Sequence, residues 1–481
     1  MINVYTNREN YQYDLHALLK SFYPEHDVRE YAAEVQEEHQ DSENRVIVQL
    51  FHDSMRVILD IGVRKEYVHT YKNDTDVTKK ERKLSIYYDL CDYTGKTLPW
   101  GNLTGIRPTK LAMGMLAEGK EDMEIVSWLK AAHAVSEEKA QLSLDIARRE
   151  KAILDRIHYE DGYSIYIGIP FCPTTCLYCS FTSYPIAVWR KRVNDYLQAL
   201  FQEIDFVAKT YQHKILDTVY IGGGTPTTLE AEELDKLLGH VRDRFDFQQV
   251  TEFTVEAGRA DSITREKLDV LKKHGVTRIS VNPQTMKDET LKYIGRQHTV
   301  AQVKDAFWLA RAAGFDNINM DIILGLPGEL EADVQNTIHE ISKLNPDSLT
   351  VHSLAVKRAS KLSQWIEENG IATLRNTDST MEIAQNGAYA LGMKPYYLYR
   401  QKNMSGNFEN VGYAREGKYG IYNILIMEEK QTIVACGAGS VSKRVYPDGR
   451  IERSENVKDV ALYIQKIDEM IERKRKLLTD F

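Results

Sequence analysis

Short apolar segments alternate with longer amphipathic segments from about residue 164 to residue 353. The short segments are bounded by Gly, Pro or polar residues, as buried strands are, and the longer ones repeat apolar residues every three or four positions, as helices do. The predicted strands are 164–169, 217–222, 250–256, 276–281, 316–324 and 347–353. The predicted helices are about 187–213, 230–244, 264–274, 300–313 and 331–343. This alternation favours a parallel sheet, so we predict an α/β domain over residues 159–375.

The pattern is different on either side of this domain. The first 158 residues contain a predicted hairpin, 44–51 with 55–61, then a charged loop at 73–83 and helical stretches. They predict an N-terminal α+β domain, 1–158, whose role the composition does not indicate. After residue 375 the alternation stops, and we predict a C-terminal cap, 376–481. Its predicted elements are a helix near 377–391, strands at 395–399, 420–427 and 431–436, and a charged helix from about 456 to 477.

Composition limits the class of protein. A chain of 481 residues with 43% hydrophobic residues is long enough for two or three globular domains. We find no apolar run long enough to span a bilayer and no signal peptide in the first residues, so we expect a cytoplasmic protein without a membrane partner. The formal net charge of −8 offers no general basis for nucleic-acid binding.

Three cysteines with the spacing Cys172-x3-Cys176-x2-Cys179 follow directly on the first predicted strand. Three thiolates suit the irons of a [4Fe–4S] cluster and leave one iron open for an exogenous ligand. A structural zinc site would require a fourth Cys or His nearby, and the next cysteine, Cys436, is far downstream. Zinc, a disulfide or unrelated buried cysteines are the alternatives to a cluster. We predict that Cys436, which precedes a glycine turn, is a small buried residue.

The cysteine spacing, with Tyr178 just before the last cysteine, resembles the signature of the radical S-adenosylmethionine (SAM) enzymes. Tyr166-x3-Pro170-Phe171-Cys172 and Tyr178-Cys179-x-Phe181 are similar to the branch of oxygen-independent coproporphyrinogen III oxidase. The resemblance implies a [4Fe–4S] cluster and SAM as cofactors, with Tyr166 and Tyr178 among the cofactor-binding residues. It also implies a partial (β/α)6 barrel, and in α/β barrels the chemistry lies at the C-terminal ends of the strands.

A glycine run, Gly222-Gly223-Gly224-Thr225-Pro226, follows the second predicted strand. Glycines allow backbone N–H and C=O groups to approach a ligand closely, although a plain tight turn has the same composition. By resemblance, Gly223, Gly224 and Thr225 belong to the motif that holds the amino group of SAM.

Four polar residues lie at or near the ends of later strands: Glu256, Gln284, Arg296 and Asp321. The hydroxyls, ammonium and carboxylate of SAM would be bound by a carboxylate, an amide and a guanidinium that converge from separate strands. By resemblance, Gln284 and Asp321 bind the ribose and Arg296 binds the carboxylate. The structural alternative for each is a polar residue that caps the next helix.

Basic residues beyond the sixth strand and in the cap are candidates for substrate binding. They are Lys357, Arg358, Arg400 and Lys402. A tetrapyrrole with several carboxylates requires aromatic walls and basic groups at the rim of its pocket, whereas a solvated charged face is the alternative.

Two positions depart from the best-known oxidases, which have a His where this chain has Gly168 and a fourth Cys where it has Phe181. The segments Gly101–Lys110 and Tyr397–Met404 most resemble the coproporphyrinogen dehydrogenases of Gram-positive bacteria. That resemblance implies the oxidative decarboxylation of coproporphyrinogen III in haem biosynthesis, with an electron donor such as flavodoxin or ferredoxin.

Two alternatives to this function stay open. One is a haem-binding chaperone of the same superfamily. Its mark is His-Asn-x-x-Tyr-Trp, whereas the nearest segment here, Glu409–Ala414, keeps only the Asn and the Tyr. The other is a radical SAM enzyme that acts on another porphyrin or on RNA.

Overall fold

The computed structural model describes residues 1–32, 44–71, 78–105, 107–179, 183–355, 361–369, 374–400 and 408–479. The chain divides into two compact units. The N-terminal unit comprises Met1–Arg148 with Leu398–Glu409, and the larger unit comprises Arg149–Tyr397 with Asn410–Phe481. The three domain boundaries proposed from the sequence stay a prediction.

The N-terminal unit is built on a five-stranded sheet in the order β2-β1-β3-β4-β5. Its strands are β1 (Ile2–Thr6), β2 (Val28–Ala32), β3 (Asn44–Leu50), β4 (Ser54–Ile61) and β5 (Val63–Thr70). The predicted hairpin is confirmed, because β3 and β4 pair antiparallel with Val48 opposite Val57. β1 instead lies parallel to both β2 and β3. The sheet and its helices bury one apolar core that includes Leu15, Phe22 and Ile86.

The helices of this part of the chain are α1 (Gln12–Phe22), α2 (Lys79–Thr94), α3 (Thr109–Ala117), α4 (Asp122–His133) and α5 (Glu137–Leu154). The prediction of a charged loop over 73–83 is wrong from residue 79 onward, because α2 begins there. Thr78 and Glu81 form a capping box, in which each side chain accepts a hydrogen bond from the other residue's backbone N–H. This box satisfies backbone donors at the start of a helix despite the charged sequence. Residues 73–77 lie outside the described residues.

Six parallel strands form the centre of the larger unit, as the sequence predicts. They are β6 (Gly162–Ile169), β9 (Ile215–Gly223), β10 (Glu252–Glu256), β11 (Arg278–Ser280), β12 (Ile318–Leu324) and β13 (Ser348–Ser353). They lie side by side in chain order and pair parallel throughout. Two short strands, β7 (Phe171–Cys172) and β8 (Tyr184–Pro185), pair beside them. The predicted α/β architecture, a parallel sheet of six strands with helices between them, is therefore confirmed.

Helices follow these strands. They are α6 (Ile186–Trp189), α7 (Val193–Thr210), α8 (Ala231–Arg244), α9 (Arg265–Lys273), α10 (Asp288–Tyr293), α11 (Val300–Ala312), α12 (Glu331–Leu344) and α13 (Lys361–Asn369). All but α10 and α13 lie at the predicted places. The predicted helix 187–213 is divided, because a short 3-10 turn, Arg190–Arg192, separates α6 from α7. The strands alternate with helices because each strand is buried on both faces, which requires helices as cover.

The last part of the chain extends the same sheet at both edges. Its elements are α14 (Asp378–Ala390), β14 (Lys394–Tyr399), β15 (Asn410–Ala414), α15 (Ile421–Glu428), β16 (Thr432–Cys436), β17 (Val441–Val445), β18 (Ile451–Glu455), α16 (Val460–Gln465) and α17 (Ile467–Leu478). β15 pairs antiparallel with β13, and β16 pairs parallel with β6. Cys436 is fully buried before Gly437, which confirms its predicted position.

Two predictions in this part are wrong in detail. Residues 420–427 form α15 rather than a strand, and the backbone N–H of Ile421 donates to the Glu252 carboxylate. A carboxylate at a helix N-terminus satisfies a donor that the helix leaves unpaired. The long C-terminal helix is also divided, since α16 and α17 meet at Lys466. The sequence pattern did not predict β15, β17 or β18.

Candidate functional site

The three clustered cysteines lie on the loop that leaves β6. Cys176 is 8% exposed, and Cys172 and Cys179 are half-buried. The loop is held by backbone hydrogen bonds, from Leu177 N to the Ile294 carbonyl at 2.9 Å and from Cys179 N to the Cys176 carbonyl at 3.2 Å. All five cysteines of the chain are free thiols, which removes the disulfide alternative.

Within the described ranges, no three His, Cys, Asp or Glu side chains converge on a point that one metal ion could occupy. A cluster does not require such convergence, because each thiolate binds its own iron. Burial raises the pKa of the Cys172 thiol to about 11 in the metal-free chain. Iron that binds this thiol would displace its proton.

The glycine run packs directly against the cysteine loop. Gly224 N donates to the Ile169 carbonyl at 2.8 Å, and Thr225 N donates to the Phe171 carbonyl at 2.7 Å. A Cβ on Gly224 would lie 2.5 Å from the Phe171 carbonyl oxygen and 3.0 Å from Cys172 Sγ, so no side chain fits there. Gly223 has a φ of +110°, a conformation that favours glycine. The backbone of the run therefore lies beside Cys172, while its predicted contact with SAM stays a prediction.

Polar residues line one face of the parallel sheet. Tyr166, Tyr220, Glu256, Asp321 and His352 are each a half-buried residue in an otherwise buried strand. Strand register places Tyr166 opposite Tyr220. Side chains on one face of a sheet repeat every second residue, so the polar positions of successive strands project to the same side. The structure therefore brings Tyr166, Glu256 and Asp321 to one face, as expected of a common site.

The two carboxylates on this face have different environments. Burial, opposed by a hydrogen bond from Tyr220 and reinforced by the charge of Asp321, raises the pKa of Glu256 to about 7. Burial also raises the pKa of Asp321. Hydrogen bonds with His352, Asn319 and Thr350, together with the charge of His352, outweigh this effect and leave the pKa below its usual value. Asn319 Nδ2 donates to Asp321 Oδ1 at 2.6 Å. Asp321 is therefore ionised near neutral pH, while Glu256 is divided between its two forms.

Gln284 lies beyond the end of β11 rather than closing it, because β11 ends at Ser280. Its backbone N donates to the Asp321 carbonyl at 2.9 Å, and its carbonyl accepts from Ile323 N at the same distance. Its φ of +68° is rare for a residue other than glycine, and such strain is often found at binding sites. Its buried Oε1 accepts no hydrogen bond from any residue that the structure describes.

Arg296 is 7% exposed and donates from Nη1 to the carbonyl oxygens of Gly258, at 3.2 Å, and Asn282, at 2.6 Å. Tyr178 lies beside it, and burial raises the pKa of the Tyr178 hydroxyl although Arg296 opposes the rise. The structure therefore places Arg296 next to the cysteine loop. Its predicted contact with the carboxylate of SAM stays a prediction.

The residues present fit the two implied cofactors. Three thiols are available for iron, a backbone cradle with no room for side chains adjoins Cys172, and Gln284 keeps an unused buried acceptor beside Asp321. Cys172, Cys176 and Cys179 would hold the cluster. The glycine run, Gln284 and Asp321 would hold SAM.

Sequence reasoning missed three residues of this region. Arg259 contacts Cys176, Tyr220 donates to Glu256, and Tyr422 stacks on Tyr220 with ring centroids 4.4 Å apart. Tyr220 precedes the glycine run by two residues on the same face as Tyr166, and this spacing could have indicated it. No sequence signal indicates Tyr422, because it reaches Tyr220 only through the tertiary fold.

Of the four predicted substrate-binding residues, three lie outside the described residues: Lys357, Arg358 and Lys402. Arg400 belongs to the N-terminal unit and is only 4% exposed. It donates from Nη1 to the Leu103 carbonyl at 2.5 Å and lies 5.7 Å from the Trp100 ring. Burial lowers the pKa of Arg400 to about 10. Its predicted contact with a propionate stays a prediction.

The fold and the cysteine loop define a radical SAM protein, and the model of the Radical SAM superfamily matches residues 166–341. The chain is 42% identical over 430 residues to the oxygen-independent coproporphyrinogen-III oxidase-like protein HemZ of Bacillus subtilis, covering 87% of this chain and 85% of that protein. It belongs to the family of this oxidase-like protein, within a superfamily that uses a [4Fe–4S] cluster and SAM.

Other relatives are named as chaperones or are less similar in sequence to this chain. The heme chaperone HemW of Bacillus subtilis is 42% identical over 196 residues, which cover 40% of this chain and 51% of that protein. The solved structure of coproporphyrinogen III oxidase (HemN) from Escherichia coli superposes with a TM-score of 0.53 at 22% identity. The match covers 67% of this chain and 73% of that one, and it supports the fold. In the part of the chain that the structure describes, no helix is both long and apolar enough to cross a bilayer.

Proposed function

We propose that the protein catalyses the oxygen-independent oxidative decarboxylation of coproporphyrinogen III to protoporphyrinogen IX. The observation that carries this proposal is the extent of its likeness to the oxidase-like protein of Bacillus subtilis. An alignment that covers 87% of the 481 residues necessarily includes more than half of residues 1–148, whereas the match to the chaperone HemW of that organism covers 40% of the chain. The N-terminal unit is thus a shared feature of this chain and a relative whose name refers to the oxidase.

The two cofactors, once bound, supply a 5′-deoxyadenosyl radical that can take hydrogen from the β-carbon of a propionate. The chain's own residues bind the cofactors and orient them. The glycine run, Gln284 and Asp321 hold SAM beside the cysteine loop, and the half-buried polar face limits the access of water to the site. A low-potential electron carrier such as flavodoxin or ferredoxin would supply the electron that cleaves SAM. The substrate radical would then lose CO2 and give one electron to a one-electron acceptor, which leaves the vinyl group.

Three basic residues bind the propionates of the substrate in this proposal: Lys357, Arg358 and Lys402. Porphyrinogen carboxylates at the rim of a pocket require cations with which they can form charge-assisted hydrogen bonds. Arg400 is the fourth candidate for a propionate contact, and its Nη1 also donates to the Leu103 carbonyl.

A haem chaperone is the second candidate, because several heme chaperones are among the relatives of the chain. The two candidates differ in what they do with a porphyrin. The oxidase changes the side chains of its substrate and consumes SAM, whereas a chaperone binds haem without turnover.

An anaerobic assay of the cluster-loaded protein with coproporphyrinogen III, SAM and a reductant tests the proposal. We expect products that carry vinyl groups, formed with the consumption of SAM. Cleavage of SAM without any vinyl product would contradict the proposal and favour another radical SAM reaction. Stoichiometric haem binding without turnover of coproporphyrinogen would favour the chaperone.

Single charge-removing substitutions sharpen this test. Lys357→Gln, Arg358→Gln and Lys402→Gln should each raise the apparent KM for coproporphyrinogen while cleavage of SAM in the absence of substrate stays normal. Lys209→Gln, at an exposed position near the end of α7, is the matched control and should change neither quantity. Unchanged KM values in all three variants would contradict the assignment of these residues.

A further inference from the structure

Arg259 is a buried cation that contacts one of the clustered cysteines. It lies three residues after the end of β10 and is 3% exposed. Its Nη1 donates to Thr174 Oγ1 at 3.1 Å and makes a longer hydrogen bond, of 3.8 Å, to Cys176 Sγ. Thr174 in turn donates to the Gly295 carbonyl at 2.9 Å, so the guanidinium meets a loop that is itself held in place.

Asp261 holds the guanidinium in this orientation. Nε and Nη2 of Arg259 donate to the two carboxylate oxygens of Asp261, at 2.9 and 2.6 Å. A bidentate pair of this kind fixes the plane of the guanidinium, which leaves Nη1 directed at the cysteine loop. Although burial raises it, the pKa of Asp261 lies below its usual range because of His298 and Arg259. Asp261 is therefore an anion that partly neutralises the cation facing Cys176.

Positive charge and N–H donors near the sulfur ligands of an iron–sulfur cluster favour the reduced cluster, because reduction adds negative charge to the iron and its ligands. In a buried site this effect is only weakly screened by water. The effect of Arg259 on Cys176 therefore depends on how much of its charge Asp261 compensates.

We propose that Arg259 is a positioning residue that raises the reduction potential of the cluster through its hydrogen bond to Cys176, and that Asp261 limits this effect. The proposal requires Cys176 to be a cluster ligand, but it does not depend on the substrate of the protein. It therefore goes beyond the proposed decarboxylation and can be tested in the absence of any porphyrin.

Arg296 also interacts with Cys176, but its other partners differ from those of Arg259. Its Nη1 donates to the Gly258 and Asn282 carbonyls, and it has no bidentate carboxylate partner among the described residues. By contrast, Arg259 and Asp261 form an ion pair in which the two charges oppose each other near Cys176. Removing one member or the other should shift the potential of the cluster in opposite directions.

The test is a potentiometric titration of the cluster, followed by electron paramagnetic resonance, in protein without SAM or substrate. Arg259→Gln leaves the negative charge of Asp261 near Cys176, so the equilibrium constant for reduction should fall about tenfold, or about 59 mV for a one-electron couple. Asp261→Asn leaves the positive charge uncompensated and should raise the potential. Arg259→Lys keeps the charge and should shift the potential less than Arg259→Gln does.

An exposed pair of the same residue types provides the control. Arg265 and Asp269 on α9 form an ion pair of 2.8 Å whose side chains are half exposed, so Arg265→Gln and Asp269→Asn should leave the potential unchanged. Potentials that are unchanged in both Arg259→Gln and Asp261→Asn, or that move in the same direction, would overturn the proposal. If Arg259→Gln does not assemble a cluster, a potential in Asp261→Asn that is unchanged or lower than in the wild type would overturn it.

Discussion

The hydroxyl of Tyr220 donates a hydrogen bond of 2.5 Å to Oε1 of Glu256, where β10 ends. Tyr422 from α15 stacks on the Tyr220 ring, and Tyr166 lies 6.2 Å from Tyr220 and 6.1 Å from Tyr422. A strand-end carboxylate is thus held by a tyrosine that packs against two other aromatic rings. The arrangement orients Glu256 on the polar face of the sheet, and among the described residues no cation forms an ion pair with it.

This environment predicts that SAM binding depends on pH. Glu256 has a pKa of about 7, raised chiefly by burial, so it loses its negative charge as the pH falls through 7. Because SAM carries positive charge, its affinity should decrease below pH 7, by at most about tenfold per pH unit for one titrating group. Equilibrium dialysis of SAM against the cluster-loaded protein measures this affinity from pH 6 to pH 8. That range extends about one unit on each side of the pKa of Glu256.

Glu256→Gln is the control for that dependence, since the amide keeps an acceptor for Tyr220 and does not titrate. Its SAM affinity should be lower than that of the wild type above pH 7 and nearly constant across the range. A wild-type affinity that does not change with pH would contradict the assignment of Glu256 to the SAM site.

The cysteine loop predicts the outcome of single substitutions to alanine. Cys172→Ala, Cys176→Ala and Cys179→Ala should each abolish the brown cluster, because each thiolate binds a separate iron. Cys436→Ala and Cys91→Ala should keep it, since neither thiol belongs to the loop. Iron and sulfide content per chain after anaerobic reconstitution is the measurement. Iron content that is unchanged in any one of the three loop variants would rule out that cysteine as a ligand.

Substitutions of Gln284 and Asp321 should weaken the binding of SAM without changing the assembly of the cluster. Gln284→Ala and Asp321→Ala each remove a hydrogen-bonding group from the predicted ribose contact, which should weaken SAM binding by about 1–3 kcal/mol. The iron content of both variants should equal that of the wild type. Gln249→Ala, at an exposed position, provides a matched control. Wild-type affinity for SAM in both site variants would refute their assignment to the ribose.

A buried ion pair inside the N-terminal unit predicts a large loss of stability. Lys139 Nζ lies 2.9 Å from Glu409 Oε1, with side chains 5% and 1% exposed, and Trp100 Nε1 donates to Glu409 Oε2 at 2.7 Å. Glu409→Gln leaves the Lys139 charge buried without its main counter-charge, which should cost about 3–5 kcal/mol. Urea denaturation of the full chain, followed by the fluorescence of Trp100 and the other tryptophans, measures the change.

The exposed pair of Lys120, just before α4, and Glu124, in its first turn, is the comparison for that substitution. Glu124→Gln should change the free energy of unfolding far less than Glu409→Gln, because the pair is solvated. Equal effects of the two substitutions would show that burial does not determine the strength of the Lys139–Glu409 pair.

The amino-acid sequence alone determined much of the larger unit. Six strands and five helical segments between them were predicted within a few residues, because hydrophobic periodicity is a local property of the chain, whereas the short α10 was not predicted. The cysteine spacing and the glycine run were equally local signals, and both lie at the strand ends where α/β proteins bind ligands. The segment 420–427 was assigned wrongly for the same reason. A short apolar run has no periodicity that separates strand from helix, and the Glu252 carboxylate at the helix N-terminus is distant in sequence.

Only the tertiary structure determined which side chains meet. Arg259 and Cys176 are 83 residues apart, and Trp100 and Glu409 are 309 residues apart. Such contacts depend on strand register and on the packing of separate segments, which local periodicity does not encode. The same is true of the pKa of Glu256, since its value depends on burial and on Tyr220 and Asp321 from neighbouring strands. The sequence thus indicated where the site lies, and the packing of the strands determined the charges and hydrogen bonds within it.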